Sequence, residues 1–158
     1  MTSRRQTILD ALVGAFSVVT TANGYNTDLA DAGGTQKVLS PANALESMPM
    51  AVVSIYSEQR STELTQHWQN RLRFSVLGFI AEVEGTPIED QLEDLLEDLE
   101  NVLITEKLRD QPLSVDGVLD LELDGHDKHQ LDDRALAVVE IQGTVIYRHN
   151  IDNPGAWS

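Results

Sequence analysis

Apolar residues recur along this chain with two different periods, and the changes of period divide it into elements. Ile8, Leu12, Ala15, Phe16 and Val19 are spaced three and four apart, which predicts an N-terminal helix with Arg4, Arg5 and Asp10 left in water and Thr2 or Ser3 as its cap. Asn23 and Gly24 suit the left-handed closure of a helix, so this helix is expected to end there. A turn, Gly24-Tyr25-Asn26-Thr27-Asp28-Leu29, then leads into a short strand starting at Tyr25. The same helical period returns at Leu92, Leu95, Leu96, Leu99, Val102 and Leu103. Glu89, Asp90, Glu93, Asp94, Glu97, Asp98 and Glu100 occupy the remaining positions, as the wet side of an amphipathic helix would. Thr86, Pro87 and Glu89 predict its start, with Thr86 as cap, Pro87 in the first turn and Glu89 closing a capping box. Acids early and Lys107 and Arg109 late match the helix dipole.

Elsewhere the period falls to two. Residues 50–56 form a β-branched run after Pro49, long enough for a buried strand. Residues 57–66 are polar and read as the tip of a long hairpin or an extended loop. Leu72, Phe74 and Val76 then alternate with Arg71, Arg73 and Ser75, and from Leu77 to Val83 both faces become apolar. Gly78, at that change, marks a bulge or close packing against a neighbour. Odd positions from Leu113 to Leu123 predict a one-sided strand, or a strand pair bent at Asp116-Gly117. Alternation from Ala135 to Tyr147 predicts a long strand inside the sheet. Residues 31–48, with Gly33, Gly34 and Pro41, read as a loop with one short strand near Val38. Residues 150–158 read as a mobile tail unless Trp157 docks on another subunit. The expected fold is α+β: a single mixed or mostly antiparallel sheet, two helices packed on one face, and a long hairpin arm, all in one domain over residues 1–158.

Composition narrows the possible functions. With 26 acidic residues against 11 basic ones the formal charge is −15, which disfavours binding to nucleic-acid phosphates. Cysteine is absent, so there is no disulfide framework, thiolate nucleophile or Cys-based metal site. The N-terminal segment is broken by Gln6, Thr7 and Asp10 and has no apolar core of a secretory signal. No run approaches the roughly 18 apolar residues of a membrane helix.

The candidate chemistry fails on spacing. Asp124-Gly125-His126-Asp127-Lys128-His129, followed by Asp132 and Asp133, has imidazole and carboxylate donors and suggests a metal-dependent hydrolase as an alternative of a different class. His126 and His129 fall in a predicted loop, however, and no distant His or Cys pair completes a tetrahedral set. Asp120, Glu122, Asp124 and Gly125 partly mimic a calcium loop, but its twelfth position is Leu131 where a bidentate Glu is needed. Gly33-Gly34-Thr35-Gln36-Lys37 lacks the spacer and the closing Gly-Lys-Ser/Thr of a P-loop and reads as a flexible loop. Without a Gly-x-Ser-x-Gly elbow, no serine is marked as a nucleophile. No catalytic residue, cofactor site or metal site is therefore assigned.

The polar stretch from Gln59 to Arg73 is different. Trp68 among polar residues would be costly to expose, and Trp and Arg are enriched at interfaces. Arg60, Glu63, Trp68, Arg71 and Arg73 are the candidate interface residues, with packing within the hairpin as the other reading.

In its order of blocks the chain resembles the tail terminator proteins of long-tailed bacteriophages, also called minor tail or tail completion proteins. The resemblance rests on Arg5-Gln6-Thr7-Ile8-Leu9-Asp10-Ala11-Leu12 leading to Asn23-Gly24-Tyr25-Asn26-Thr27-Asp28-Leu29, on Pro49 before a strand, on the long strand ending at Val83 before an acidic helix, and on the closing strand from Val138 to Tyr147. It spans residues 4–148. It implies a small structural protein of the virion tail, assembled in the host cytoplasm, that forms a hexameric ring on the tail tube, stops its polymerisation and offers a joining surface for the head. Its implied partners are further copies of itself, the tail tube protein, a head-completion or neck protein, and DNA only in transit through the channel. A head-closure, neck or tube protein of a phage is the nearest alternative.

Overall fold

A computed structural model describes residues 3–37, 48–62, 67–81, 85–131 and 136–150. Their elements run α1 (Arg4–Ala15), β1 (Gly34–Gln36), β2 (Met50–Thr62), β3 (His67–Ala81), α2 (Ile88–Lys107), β4 (Val118–Leu131) and β5 (Leu136–Asn150). The strands form one mixed sheet in the order β1-β2-β3-β5-β4. β1 is parallel to β2, and every other neighbour pair is antiparallel. Because β5 lies between β3 and β4, those two are parallel and α2 is the crossover that joins them. Both helices share one apolar core with the same side of the sheet, so the expected α+β layering is present, including the β2–β3 hairpin arm.

The helix stripes pack as their spacing predicts. Ile8 and Leu12 of α1, and Leu92, Leu95, Leu96, Leu99, Val102 and Leu103 of α2, are all buried. They face Ala51 and Val53 of β2, Leu72, Phe74 and Val76 of β3, and Ala137, Val139, Ile141 and Val145 of β5. Each large side chain buried in this way stabilises the fold by about 2 kcal/mol. Gly78 is a site of close packing and not a bulge: a Cβ there would lie 2.9 Å from the ends of both Leu95 and Leu99. On the reverse face, remote from the arm, Met50, Val52, Leu136 and Val138 are also buried, so this end of the sheet is apolar on both sides as expected.

Several boundaries differ from the sequence reading, each for a local reason. α1 is capped by Ser3 in a full capping box with Gln6, but it stops at Ala15. Two short 3-10 turns, Phe16–Val18 and Thr21–Asn23, carry the chain on to Gly24, whose left-handed φ of 90° closes the second of them. No strand starts at Tyr25. Asp28 accepts from the Thr21 N–H at 2.8 Å and its hydroxyl at 2.9 Å, folding the segment back on itself. Within the Gly33–Lys37 segment, Gly34–Gln36 is β1, paired from Gly34 to Met50, and not a flexible loop; Val38 lies outside the described residues. α2 starts one residue later than predicted, with Pro87 at its cap and no side-chain capping bond, so the Thr86–Glu89 box does not form.

Two charged residues predicted to sit in water are buried. The Arg4 guanidinium donates to the Arg148 carbonyl at 2.5 Å, and burial lowers its pKa. Asp98 is 1% exposed. Its two oxygens accept from the Asn26 N–H at 2.9 Å, the Thr27 N–H at 2.8 Å and the Thr27 hydroxyl at 2.7 Å. This carboxylate fastens the loop after α1 to α2, and the loop in turn delivers β1 to the sheet. Asp98→Ala would leave three donors unsatisfied and is expected to lower unfolding free energy by about 2–4 kcal/mol. Asp94→Ala, one turn earlier and exposed, should stay within about 0.5 kcal/mol of the parent; urea denaturation of both variants measures the difference.

Candidate functional site

The arm is built from three strands. β2 pairs with β3 out to Thr62↔Trp68, and β5 follows β3 to its start through Trp68↔His149 and His67↔Asn150. A bulge at Tyr56 shifts the β2 register between Ile55 and Ser57. An extra residue in a strand inverts which side chains face each way beyond it. Ser57 therefore joins Arg73 on the reverse face, and Glu58 turns to the side of Leu72, beneath α1.

There Glu58 enters a polar network. Its Oε1 accepts from the Tyr147 hydroxyl at 2.5 Å and from Asn70 Nδ2 at 2.7 Å, and Asn70 Nδ2 also lies 2.9 Å from the Tyr147 oxygen. Arg5 of α1 forms an ion pair with the other carboxylate oxygen at 2.5 Å. Asn70 is fully buried and Tyr147 nearly so. Burial and the neighbouring Glu58 push the Tyr147 phenol up to about 12. The network joins α1, β2, β3 and β5 at one point, and beyond it the three strands stay paired as far as Thr62↔Trp68 and His67↔Asn150.

The candidate interface residues do not form one patch. Arg71 and Arg73 are exposed on the reverse face, and Arg71 reaches across β5 to Glu122 of β4 at 2.9 Å. Arg60, opposite Asn70, lies on the other face and is exposed. Trp68 takes its place in β3 between Thr62 and His149, whereas Glu63 lies outside the described residues. Sequence reading missed Glu58, Asn70 and Tyr147. The alternation marks Tyr147 only as an apolar inward position, and nothing in it signals the bulge that turns Glu58 inward.

The metal candidate is resolved differently from its prediction. His126 and His129 are not in a loop but in β4, which continues to Leu131. A second bulge, at Asp124, inverts the facing of this strand, so His126 and Lys128 point toward α2, where His126 lies 3.2 Å from Glu100 and Lys128 pairs with Glu93. His129 sits opposite Val138 on the other side of the strand. The calcium-like carboxylates are each held by the protein: Lys107 donates to Asp120 at 3.1 Å, Arg71 to Glu122, and Thr144 to Asp124 at 2.7 Å. Among the described residues no group of three or more His, Cys, Asp or Glu is gathered to hold an ion. Leu119, grouped with the inward odd positions, is bulged out of the ladder and 40% exposed.

At the end of the sheet remote from the arm lies a cleft of about 480 Å³. Pro49, Ile80 and Ala81 give it an apolar floor, and Asn26, Asp28 and Asp94 provide polar groups. No described helix is long and apolar enough to cross a membrane.

No family model and no curated protein matches the sequence. Among solved structures, a chain of the virion of a native gene transfer agent particle shares the fold with a TM-score of 0.50 and 9% identity, over 73% of this chain and 78% of that one.

The arm-base network has an alkaline signature. A phenol whose folded-state pKa is raised from 10.0 to about 12 holds its proton more tightly when folded, so its contribution is intact below pH 10 and is lost as pH rises from 10 to 12. Stability measured by urea denaturation should fall across that window in the parent, and Tyr147→Phe should flatten the fall while lowering stability at pH 7 by about 1–2 kcal/mol. An identical alkaline slope in both proteins would rule out this role for Tyr147.

Proposed function

We propose that the chain is a non-catalytic structural protein of a phage-type virion and acts as a tail terminator: a ring that caps the tail tube, stops its growth and presents a surface for the head. The observation that carries this reading is the fold shared over 73% of the chain with a protein of a gene transfer agent virion. The arm supports it physically. Three paired strands fixed in register by a buried network at their base hold their side chains in defined places, and contact residues placed in advance reduce the ordering cost of assembly. A formal charge of −15 per copy also suits a ring through which DNA passes without sticking. The order of blocks, from the capped N-terminal helix to the acidic crossover helix and the closing strand, is the reason for preferring a terminator to other virion proteins.

The test is assembly with and without this chain. Purified protein should sediment as a closed ring with the mass of six copies, and particles assembled without it should show overlong tails, or tails without heads, by electron microscopy. Tails of normal length that fail to join heads would favour a head-closure or neck protein. Complete absence of tails would favour a tube subunit. A monomer at all concentrations would sink the ring.

A further inference from the structure

The sheet ends in two edges, and neither is closed within one copy. β1 pairs only with Met50, Ala51 and Val52, so from Val53 to Gln59 β2 has β3 on one side and, among the described residues, no strand on the other. β4 is the opposite edge and pairs with β5 alone. A bare edge presents unpaired N–H and C=O groups; soluble proteins blunt such edges with proline, lysine or a covering segment, or use them to take up another strand.

This chain blunts only part of its edges. At the start of β4, Lys107 donates to the Leu121 carbonyl at 3.0 Å and Gln111 to the Val118 carbonyl at 2.7 Å. From Glu122 to His129 no described side chain caps the backbone in this way, and Lys128, the one lysine of the strand, is drawn to Glu93 of α2. β2 from Val53 to Gln59 holds neither proline nor lysine. It exposes Tyr56, an aromatic side chain on the rim of a groove of about 340 Å³ that Arg5, Ile55 and Leu72 also line.

The two bare stretches match in level and in direction. Ile55, Phe74, Gly143 and Leu123 form one row across the sheet. Both bulges adjoin that row, Tyr56 following Ile55 and Asp124 following Leu123, so the two edges bend at the same level. β2 is antiparallel to β3, β3 to β5 and β5 to β4, which leaves β2 and β4 running in opposite directions. Copies set side by side in one orientation therefore bring β4 of each antiparallel to β2 of the next, and this heterologous contact closes into a ring when the rotation allows. A contact of β2 with β2 would be isologous and would stop at two copies.

We propose that β2 from Val53 to Gln59 takes up β4, from Glu122 to His129, of a second copy of this chain, so that the sheets of neighbouring copies join into one. This inference rests on the ring reading and names the backbone that links its copies. Main-chain hydrogen bonds hold such a contact, so the ring should persist from low to high salt.

The absence of cysteine lets engineered pairs report the contact. Ser57→Cys is combined in turn with Gly125→Cys, Asp127→Cys or His129→Cys; Ser57, Asp127 and His129 are exposed, and a Cβ at Gly125 would meet no atom within 4 Å. Facing Cα atoms of antiparallel strands stand about 4.5–5.5 Å apart, within reach of a disulfide. Mild oxidation of at least one pair should give a covalent ladder that ends at the copy number of the ring, whereas Ser57→Cys alone should stay uncross-linked. Circular dichroism confirms that each variant is folded. A ring in which no pair cross-links, or in which Ser57→Cys alone cross-links as well as the pairs, overturns this contact while the ring stands. If the variants do not fold, amide exchange in the parent decides: residues 53–59 and 122–129 should exchange at least about tenfold more slowly in the ring than in copies dissociated by dilution, and equal rates overturn the proposal. A parent that is monomeric at all concentrations removes the ring and this contact together.

Discussion

Everything in this fold is referred to one helix, and that helix is anchored on two sides by different physics. Its leucine stripe lies on the sheet so closely that β3 carries glycine at position 78 beneath Leu95 and Leu99. Its flank carries Asp98, a buried carboxylate that receives three hydrogen bonds from Asn26 and Thr27. The first contact is non-directional and sets the distance between layers. The second is directional, because a carboxylate removed from water is tolerable only where donors surround it, and it therefore fixes where the loop after α1 must lie. The start of β1 and the cleft, which Asn26, Thr27 and Asp28 line, follow from that placement.

The two inner bulges do the corresponding work within the sheet. A regular strand extends a single alternation, so residues beyond the core would present the same parity of positions to the helices. The bulge at Tyr56 breaks that parity and brings Glu58 beneath α1, where Arg5, Asn70 and Tyr147 receive it. The bulge at Asp124 does the same for β4 and turns His126 and Lys128 to the acidic side of α2. In both places an extra residue converts an apolar contact surface into a polar one at the point where the core ends.

What the sequence pattern discloses and what it hides divide along the same line. Periodicity found both helices, the long strands and nearly every buried apolar residue, since those positions obey one repeating rule. The carboxylate of Asp98 escaped because its position on the helix wheel borders the wet face, and only the loop packed against it makes that position dry. The polar composition of the His126 segment predicts a loop. It is a strand, because ladder hydrogen bonds to β5 hold it whatever its side chains prefer. The arm was legible as a hairpin but not as three strands, since the closing residues of β5 carry no alternation that points to β3. The arginines singled out there do lie on the arm, but on two faces, and the bulge that distributes them leaves no mark in the pattern.

The arm raises a problem of register that its base network answers. In the lower sheet a slip of one residue would carry Leu72, Phe74 and Val76 out of the core, so burial alone selects the pairing. Nearer the tip both faces are polar, with Gln59 opposite Arg71 and Arg60 opposite Asn70, and a slip there would cost little in burial. Glu58, Asn70 and Tyr147 sit at the boundary between these regimes on three adjacent strands. Moving β2 by one residue would withdraw the Glu58 carboxylate from the Tyr147 hydroxyl and leave buried polar groups without partners, at a cost of about 1–3 kcal/mol for each. A network of this kind adds less net stability than an apolar cluster of the same volume, but it accepts only one alignment. Where burial no longer selects a register, alignment has to come from directional polar contacts, and the network is placed where the core can no longer supply it.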